Sequence, residues 1–258
     1  MSAQGTPEVV TVELPCGLVH EEDVFTQAQI IPMTGRVRKS IARPQNRQNP
    51  AAVIDSLLTQ CVVSIGKITR VNKSVTDRLF LGDRDFLVMA IRKLSLGADV
   101  HTQLQCDNCG AKLGMTLNLD RDVPVTKMKE KNIDIVEGDA VFTLSDPMLK
   151  VDAKFRLPRG TDQHQVAPLY RKNPIEANYA LYRGCLLEWS GEPSEEIPLH
   201  FFDDLSLPVI DFIDENFMEM MPGPDMRVPV DCYECNHEMM MSLASSDFLF
   251  RLPKTGRT

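Results

Sequence analysis

The chain has 258 residues, 43% hydrophobic and 25% charged, with a formal net charge of −8 and seven cysteines. That length supports one large domain or two smaller ones, each with its own core, and the composition is that of a globular protein rather than a disordered or fibrous one. No apolar run approaches the roughly 18 residues of a membrane span and no signal peptide opens the chain, so a non-membrane, non-secreted protein with reduced cysteines is expected.

In chain order, Val10 to Leu18 reads as a strand that runs into a turn at Pro15-Cys16-Gly17, and Val24 to Met33 as a second strand. Arg36, Arg38, Lys39, Arg43 and Arg47 follow with no acid among them, and Pro44 and Pro50 break the segment, so it reads as a basic loop or arm. From Asn49-Pro50 the apolar residues Val53, Ile54, Leu57, Leu58 and Cys61 recur at helical spacing, with Pro50 suited to the first turn. A second helix is expected over Leu79 to Arg92, with Asp83 as its cap and Gly97 as its stop. Arg84 and Arg92 lie near one face of it, and in so apolar a helix each needs a partner, an ion pair being the favoured reading over a contact to another chain.

Cys106-Asp107-Asn108-Cys109-Gly110 and Cys232-Tyr233-Glu234-Cys235-Asn236 are Cys-x-x-Cys knuckles. Two residues between paired cysteines let a tight turn aim both sulfurs at one point, and two such turns supply the four thiolates of a tetrahedral zinc site. Gly110 and Asn236 stand where a positive φ turns the chain back. Alternating apolar residues flank both knuckles, as in Leu113, Met115 and Leu117 or Met239 and Met241, which puts them at hairpin tips as in a zinc ribbon. A redox dithiol would need its first thiol at a helix N-terminus. Four thiolates leave no open position for water, so the expected site, Cys106, Cys109, Cys232 and Cys235, is structural, and His237 is redundant as a ligand.

The second half repeats the first. Cys185 lies 124 positions after Cys61, as Asn173-Pro174 does after Asn49-Pro50, and Cys232 lies 126 after Cys106. Leu157-Pro158-Arg159-Gly160 echoes Leu14-Pro15-Cys16-Gly17 at 143, as if the basic arm were missing from the second copy. A further helix is expected from Ser206, as cap, to Met221. The expected fold is therefore α+β, with internally duplicated α/β units joined by a pseudo-twofold four-cysteine zinc ribbon. The first repeat takes residues 1–119, a connecting segment 120–150 and the second repeat 151–258. Cys61 and Cys185 become equivalent core cysteines.

No nucleophile with a base, no phosphate-binding glycine loop and no open metal site occurs, so no enzyme chemistry is expected. Asp203-Asp204 and the Asp211, Asp214 and Glu215 group fit a helix start and its polar face. Residues 1–118 carry 13 Lys/Arg against 11 Asp/Glu and residues 119–258 carry 15 against 25, which argues against a nucleic-acid surface.

The early Leu-Pro-x-Gly strand, Gly82-Asp83-Arg84-Asp85-Phe86-Leu87 with Ile91-Arg92, Cys106-x-x-Cys109-Gly110, and Gly223-Pro224-Asp225 leading to Cys232-x-x-Cys235 together resemble the baseplate protein family of contractile-tailed bacteriophages. The resemblance spans roughly residues 10–250 and departs from the family at Asn236, where a glycine is expected. It implies a non-enzymatic structural or assembly role at the virion tail baseplate, assembled in the host cytoplasm, with other baseplate or tail subunits or a second copy as partners. The arm residues Arg36, Arg38, Lys39, Arg43 and Arg47 are then the expected docking surface. The alternative is a zinc-ribbon adaptor of nucleic-acid machinery, which would need a basic face with stacking aromatics.

Overall fold

A computed structural model describes residues 8–21, 23–43, 49–170 and 172–243. Strands β1 (Val10–His20), β2 (Asp23–Ile30) and β3 (Val62–Ile65) form an antiparallel meander in the order β1-β2-β3. Helices α1 (Gly35–Ile41) and α2 (Pro50–Cys61) lie between β2 and β3, and α3 (Lys73–Arg78) and α4 (Leu81–Leu96) follow. The hairpin β4 (Asp99–Gln105) and β5 (Lys112–Asn118) ends this half. Strands β6 (Val125–Thr126), β7 (Asp134–Val136), β8 (Asp139–Asp146) and β9 (Val151–Arg156) come next. The chain then runs through α5 (Gly160–Tyr170), α6 (Pro174–Cys185), β10 (Leu186–Trp189), β11 (Glu192–Pro193), α7 (Leu207–Met220), β12 (Gly223–Pro224) and the hairpin β13 (Arg227–Asp231) and β14 (Glu238–Ser242).

The second sheet has the order β11-β10-β9-β8-β7, and its middle three strands repeat the β1-β2-β3 meander. The third strand of each meander is entered in the same way. Pro50 and Pro174 occupy the first turns of α2 and α6, and the Asn49 and Asn173 side chains accept the free backbone N–H groups of Ala52 and of Ile175 and Glu176. Each helix ends on a fully buried cysteine, Cys61 or Cys185, and passes directly into β3 or β10. Burial pushes the Cys61 thiol up to about 12 and raises Cys185 as well, so both are inert core groups.

Four expectations change. The basic segment is not wholly a loop: Thr34 accepts from Val37 N, and Val37 and Ile41, one turn apart, bury one face of α1. Arg36, Arg38 and Lys39 occupy its exposed side, Arg43 is exposed just beyond it, and Arg47 lies outside the described residues. The Leu-Pro echo pairs differently, because Leu157-Pro158 follows β9 just as Ile31-Pro32 follows β2, whereas Leu14-Pro15 lies inside β1. Helix α5 follows β9 as α1 follows β2, and each packs on the next helix. Residues 134–146, placed in a connector, form β7 and β8 of the second sheet. Ser206 holds the cap position of α7 but its side chain makes no capping bond.

Two apolar cores result. One gathers β1–β3, α1, α2, α4 and both hairpins, so that Val228, Val230, Met241 and Leu243 sit in the same core as Leu14 and Ile54. The other gathers β8–β10 with α5, α6 and α7 around the packed rings of Phe142, Phe155, Phe217 and Tyr182. Among the described residues no helix is long and apolar enough to cross a membrane.

Candidate metal centre and the joint between the two units

The β4–β5 and β13–β14 hairpins bring their knuckles together although more than 120 residues separate them. In each tip the N–H after the second cysteine returns to the first, Gly110 N to Cys106 O and Asn236 N to Cys232 O, both at 2.8–2.9 Å. Gly110 and Asn236 take φ values of +74° and +55°, the left-handed turn that their positions call for. The sulfurs pair crosswise, Cys106 with Cys235 at 3.8 Å and Cys109 with Cys232 at 3.7 Å, and all four lie within 4.8 Å of one another. Four sulfurs about 2.3 Å from a tetrahedral zinc stand about 3.8 Å apart, so the spacing fits one shared ion. Disulfides need about 2.05 Å, and all seven cysteines are free thiols.

The tips are also tied by contacts that the spacing alone does not reveal. Asn108 Nδ2 approaches Cys235 Sγ at 3.5 Å, His237 Nε2 meets Asp107 Oδ1 at 2.9 Å, and the Tyr233 hydroxyl donates to Lys112 O at 3.0 Å. His237 is therefore engaged away from the sulfurs. The Asn108 amide, followed by the His237 N–H, draws the Cys235 thiol down to about 7, and the Cys109 and Asn108 N–H groups lower Cys106. The Ala111 N–H pulls Cys109 down too, but the neighbouring thiols and burial together push it up to about 12. This thiol cluster gives up its first protons readily, as a metal ligand set requires.

A second joint forms at the start of α4. The Leu14–Gly17 stretch bulges out of register with β2, which leaves the N–H groups of Cys16 and Gly17 without strand partners. The fully buried Asp83 carboxylate takes both, at 2.8 and 3.0 Å. Asp83 thus belongs to the first turn but fixes β1 instead of capping its own helix, whose cap position is Phe80. Burial pushes its carboxyl up to about 7, against the pull of the two backbone donors.

Gly82 and Arg84, on either side of Asp83, reach the second unit. A Cβ on Gly82 would stand 2.0 Å from Pro222 O, and one on Gly223 2.6 Å from the Gly82 Cα, so the two glycines let the backbones touch. Leu81 N donates to Pro158 O and Gly160 N to Leu79 O, both at 3.0 Å. The fully buried Arg84 donates through Nη2 to Asp55 at 2.8 Å, through Nη1 to Thr76 O at 2.7 Å and through Nε to Gln163 at 3.1 Å, linking α2, α3 and α5. Arg92 differs from the expected ion pair: its guanidinium donates to the carbonyls of Gly97 and Asp99, at the end of the helix.

Asp55 also meets His164 at 2.7 Å and Lys73 at 3.4 Å, with Asp77 alongside. Burial works to raise Asp55, and Arg84, His164 and Lys73 outweigh it and hold it below the ordinary range. This group brings two carboxylates and an imidazole together, but two fixed cations already satisfy it, so it reads as an ion network across the units and not as a metal site.

Arg36, Arg38, Lys39 and Arg43 make no ion pair among the described residues and remain exposed. Asp214, in the acidic group on α7, accepts from the Tyr182 hydroxyl at 2.6 Å, which gives it a packing role. Met240 points outward while Met241 is buried, so the methionine run alternates along β14.

Residues 10–250 match a protein family described as T4 bacteriophage base plate protein. No curated protein and no solved structure shows a significant match.

Proposed function

The chain belongs to the T4 bacteriophage base plate protein family, and from that premise we propose that it is a non-enzymatic structural or assembly component of a contractile-tail baseplate, stapled by one zinc and docking to other baseplate subunits. The observation that carries the reading is the crosswise four-cysteine cluster, in a chain whose family match covers residues 10–250. Cys106, Cys109, Cys232 and Cys235 would hold the ion, which supplies structural coordination and no reactive water.

The parallel meanders, the paired Asn-Pro caps and the paired buried cysteines support an internal duplication. The first repeat then takes about residues 10–119 and the second begins near β7, with the metal near the pseudo-twofold axis. Each copy supplies one knuckle, so the zinc ribbon ties the copies together. A rigid duplicated body of this kind suits a part that must present fixed surfaces to several neighbours. The exposed cations of α1 and Arg43 face solvent without local acids, as a docking surface for an acidic subunit or for the acidic half of a second copy would. An adaptor of nucleic-acid machinery would instead favour a basic face with stacking aromatics, and the aromatic rings of the second core are buried.

The test is metal analysis of the purified protein together with mass spectrometry of purified particles. One zinc per chain is expected, and Cys232→Ser should lose the metal and loosen the two units, since structural zinc sites in small peptides contribute roughly 10–16 kcal/mol to folding. Two zincs per chain, or none, would end the shared-site reading. Absence of the protein from both finished particles and assembly intermediates would end the baseplate reading.

A further inference from the structure

The four clustered sulfurs divide into two that solvent reaches and two that it does not. Cys109 is exposed and Cys235 half-buried, whereas Cys106 and Cys232 are only 2% and 0% exposed. Each close pair, Cys109 with Cys232 at 3.7 Å and Cys235 with Cys106 at 3.8 Å, therefore sets one open sulfur against one covered sulfur of the opposite hairpin. The other three cysteines, Cys16, Cys61 and Cys185, are buried in the two apolar cores. A dissolved oxidant thus meets thiols at one place on this chain.

Thiol oxidation needs that division of roles, an accessible thiolate to take the oxidant and a second one beside it to resolve the product. The tips are also held face to face without any ion. His237 Nε2 meets Asp107 Oδ1 at 2.9 Å, the Tyr233 hydroxyl donates to Lys112 O at 3.0 Å, and Asn108 Nδ2 approaches Cys235 Sγ at 3.5 Å. Each of these contacts joins one hairpin to the other, so the sulfurs stay opposed across the joint. Closing either pair to a disulfide asks for a shift of about 1.7 Å at the tips.

We propose that the cluster is also a site of reversible oxidative modification, at which hydrogen peroxide converts the four cysteines into two disulfides that cross between the hairpins, Cys109–Cys232 and Cys106–Cys235. The Cys109 thiolate attacks one peroxide oxygen: the S–O bond forms, the O–O bond breaks and hydroxide leaves, with the sulfur oxidised by two electrons to a sulfenic acid. The Cys232 thiolate then attacks that sulfur, so that the S–S bond forms, the S–O bond breaks and a second hydroxide leaves. Cys235 and Cys106 consume a second peroxide in the same way. This chemistry rests on the zinc-site reading only for the facing of the two knuckles. Oxidation then exchanges metal ligation for covalent linkage, and the joint between the units stays closed.

The test treats the full-length, zinc-loaded protein with hydrogen peroxide, counts thiols after denaturation and maps its peptides without reduction. Thiols should fall from seven by the four of the cluster, with Cys109–Cys232 and Cys106–Cys235 as the linkages, zinc released and every thiol restored by dithiothreitol. The oxidised protein should unfold at least about 5 °C above the reduced protein stripped of metal, because links between cysteines 123 and 129 positions apart constrain the unfolded chain far more than links within a knuckle. In Cys109→Ser, Cys106–Cys235 should still form while the covered Cys232 stays reduced. Linkages within a knuckle or between two chains would overturn the proposal. Earlier oxidation of Cys16, Cys61 or Cys185, or survival of all seven thiols, would overturn it as well. Zinc analysis of the untreated protein is a separate readout: absence of zinc there ends the metal reading, while the linkage map alone decides the disulfides.

Discussion

Replacing Arg84 by Met removes the cation beside Asp55 and three donated hydrogen bonds at once. Breaking a buried ion pair by deleting one partner costs about 3–5 kcal/mol, because the other charge stays desolvated. Asp55 here keeps Lys73 and His164 and has some solvent access, with its side chain 11% exposed, which places the cost at the lower end, about 3 kcal/mol. At roughly 2–4 °C per kcal/mol for a protein of this size, the midpoint should fall by about 6–12 °C. Arg92→Met supplies the comparison, since Arg92 is equally buried but faces only carbonyls, and its Nε has no partner. Deleting it frees two acceptors but also removes a buried cation with no bonded carboxylate, so about 1 kcal/mol or less is expected. Urea and thermal unfolding of both variants, zinc-loaded, measure the difference. If Arg92→Met destabilises as much as Arg84→Met, the account of Arg84 as the charge that holds the joint is wrong.

The close approach at the joint predicts that Gly82→Ala costs at least about 2 kcal/mol through overpacking against the Pro222 carbonyl. Gly114→Ala, with nothing within 4 Å of its added Cβ, should change urea stability by no more than about 0.5 kcal/mol. Asp83 predicts a pH dependence. Its folded pKa, about 7, lies above the unfolded value near 3.8, so the folded state holds the extra proton between them; its contribution is full below about pH 4 and is lost as pH rises through about 7. The stability difference between wild type and Asp83→Asn, followed by urea titration from pH 4 to 8, should show that fall, and a flat difference would remove the buried carboxyl from the argument. Reversing Arg38 and Arg43 to Glu should leave zinc content and melting temperature unchanged while abolishing incorporation into baseplates or self-association. Normal assembly of that double variant at physiological salt would move the docking surface elsewhere.

What could be read ahead of the structure was what neighbouring residues determine. A Cys-x-x-Cys tip, an Asn-Pro helix start and the positive φ at Gly110 and Asn236 each follow from a few consecutive side chains. The repeat of element order was also visible, because the cap and cysteine markers keep one spacing. The Leu-Pro echo misled because two residues carry too little information to fix register, and Ile31-Pro32 is the better match once the strands are seen. In α1 the Val37 and Ile41 pair with Thr34 ahead was a helix signal, outweighed by the cations and prolines around it. Strand β8 carried its own sign, with Ala140, Phe142 and Leu144 alternating inward. Asp83 could not have been placed, because its partners lie 66 and 67 residues away on a bulge that forms only in the folded sheet. The same holds for Gly82 against Pro222 and for Arg92 on its carbonyls.

The strands that complete the first core are the last of the described chain to be synthesised. Val228, Val230, Cys232, Met241 and Leu243, with Met226, Cys235 and Met239 packed against them, fill a core whose other residues all come before 124. Translation at about 5–20 residues per second places Cys232 roughly 6–25 s behind Cys106, and through that interval the nascent first unit keeps an open apolar face and two unmatched thiols. The four-cysteine cluster can therefore assemble only on a chain that has been translated through its second knuckle. A ribosome that stops short releases a product whose core stays uncovered, so the order of the fold itself separates finished chains from truncated ones before any of them meets a neighbour.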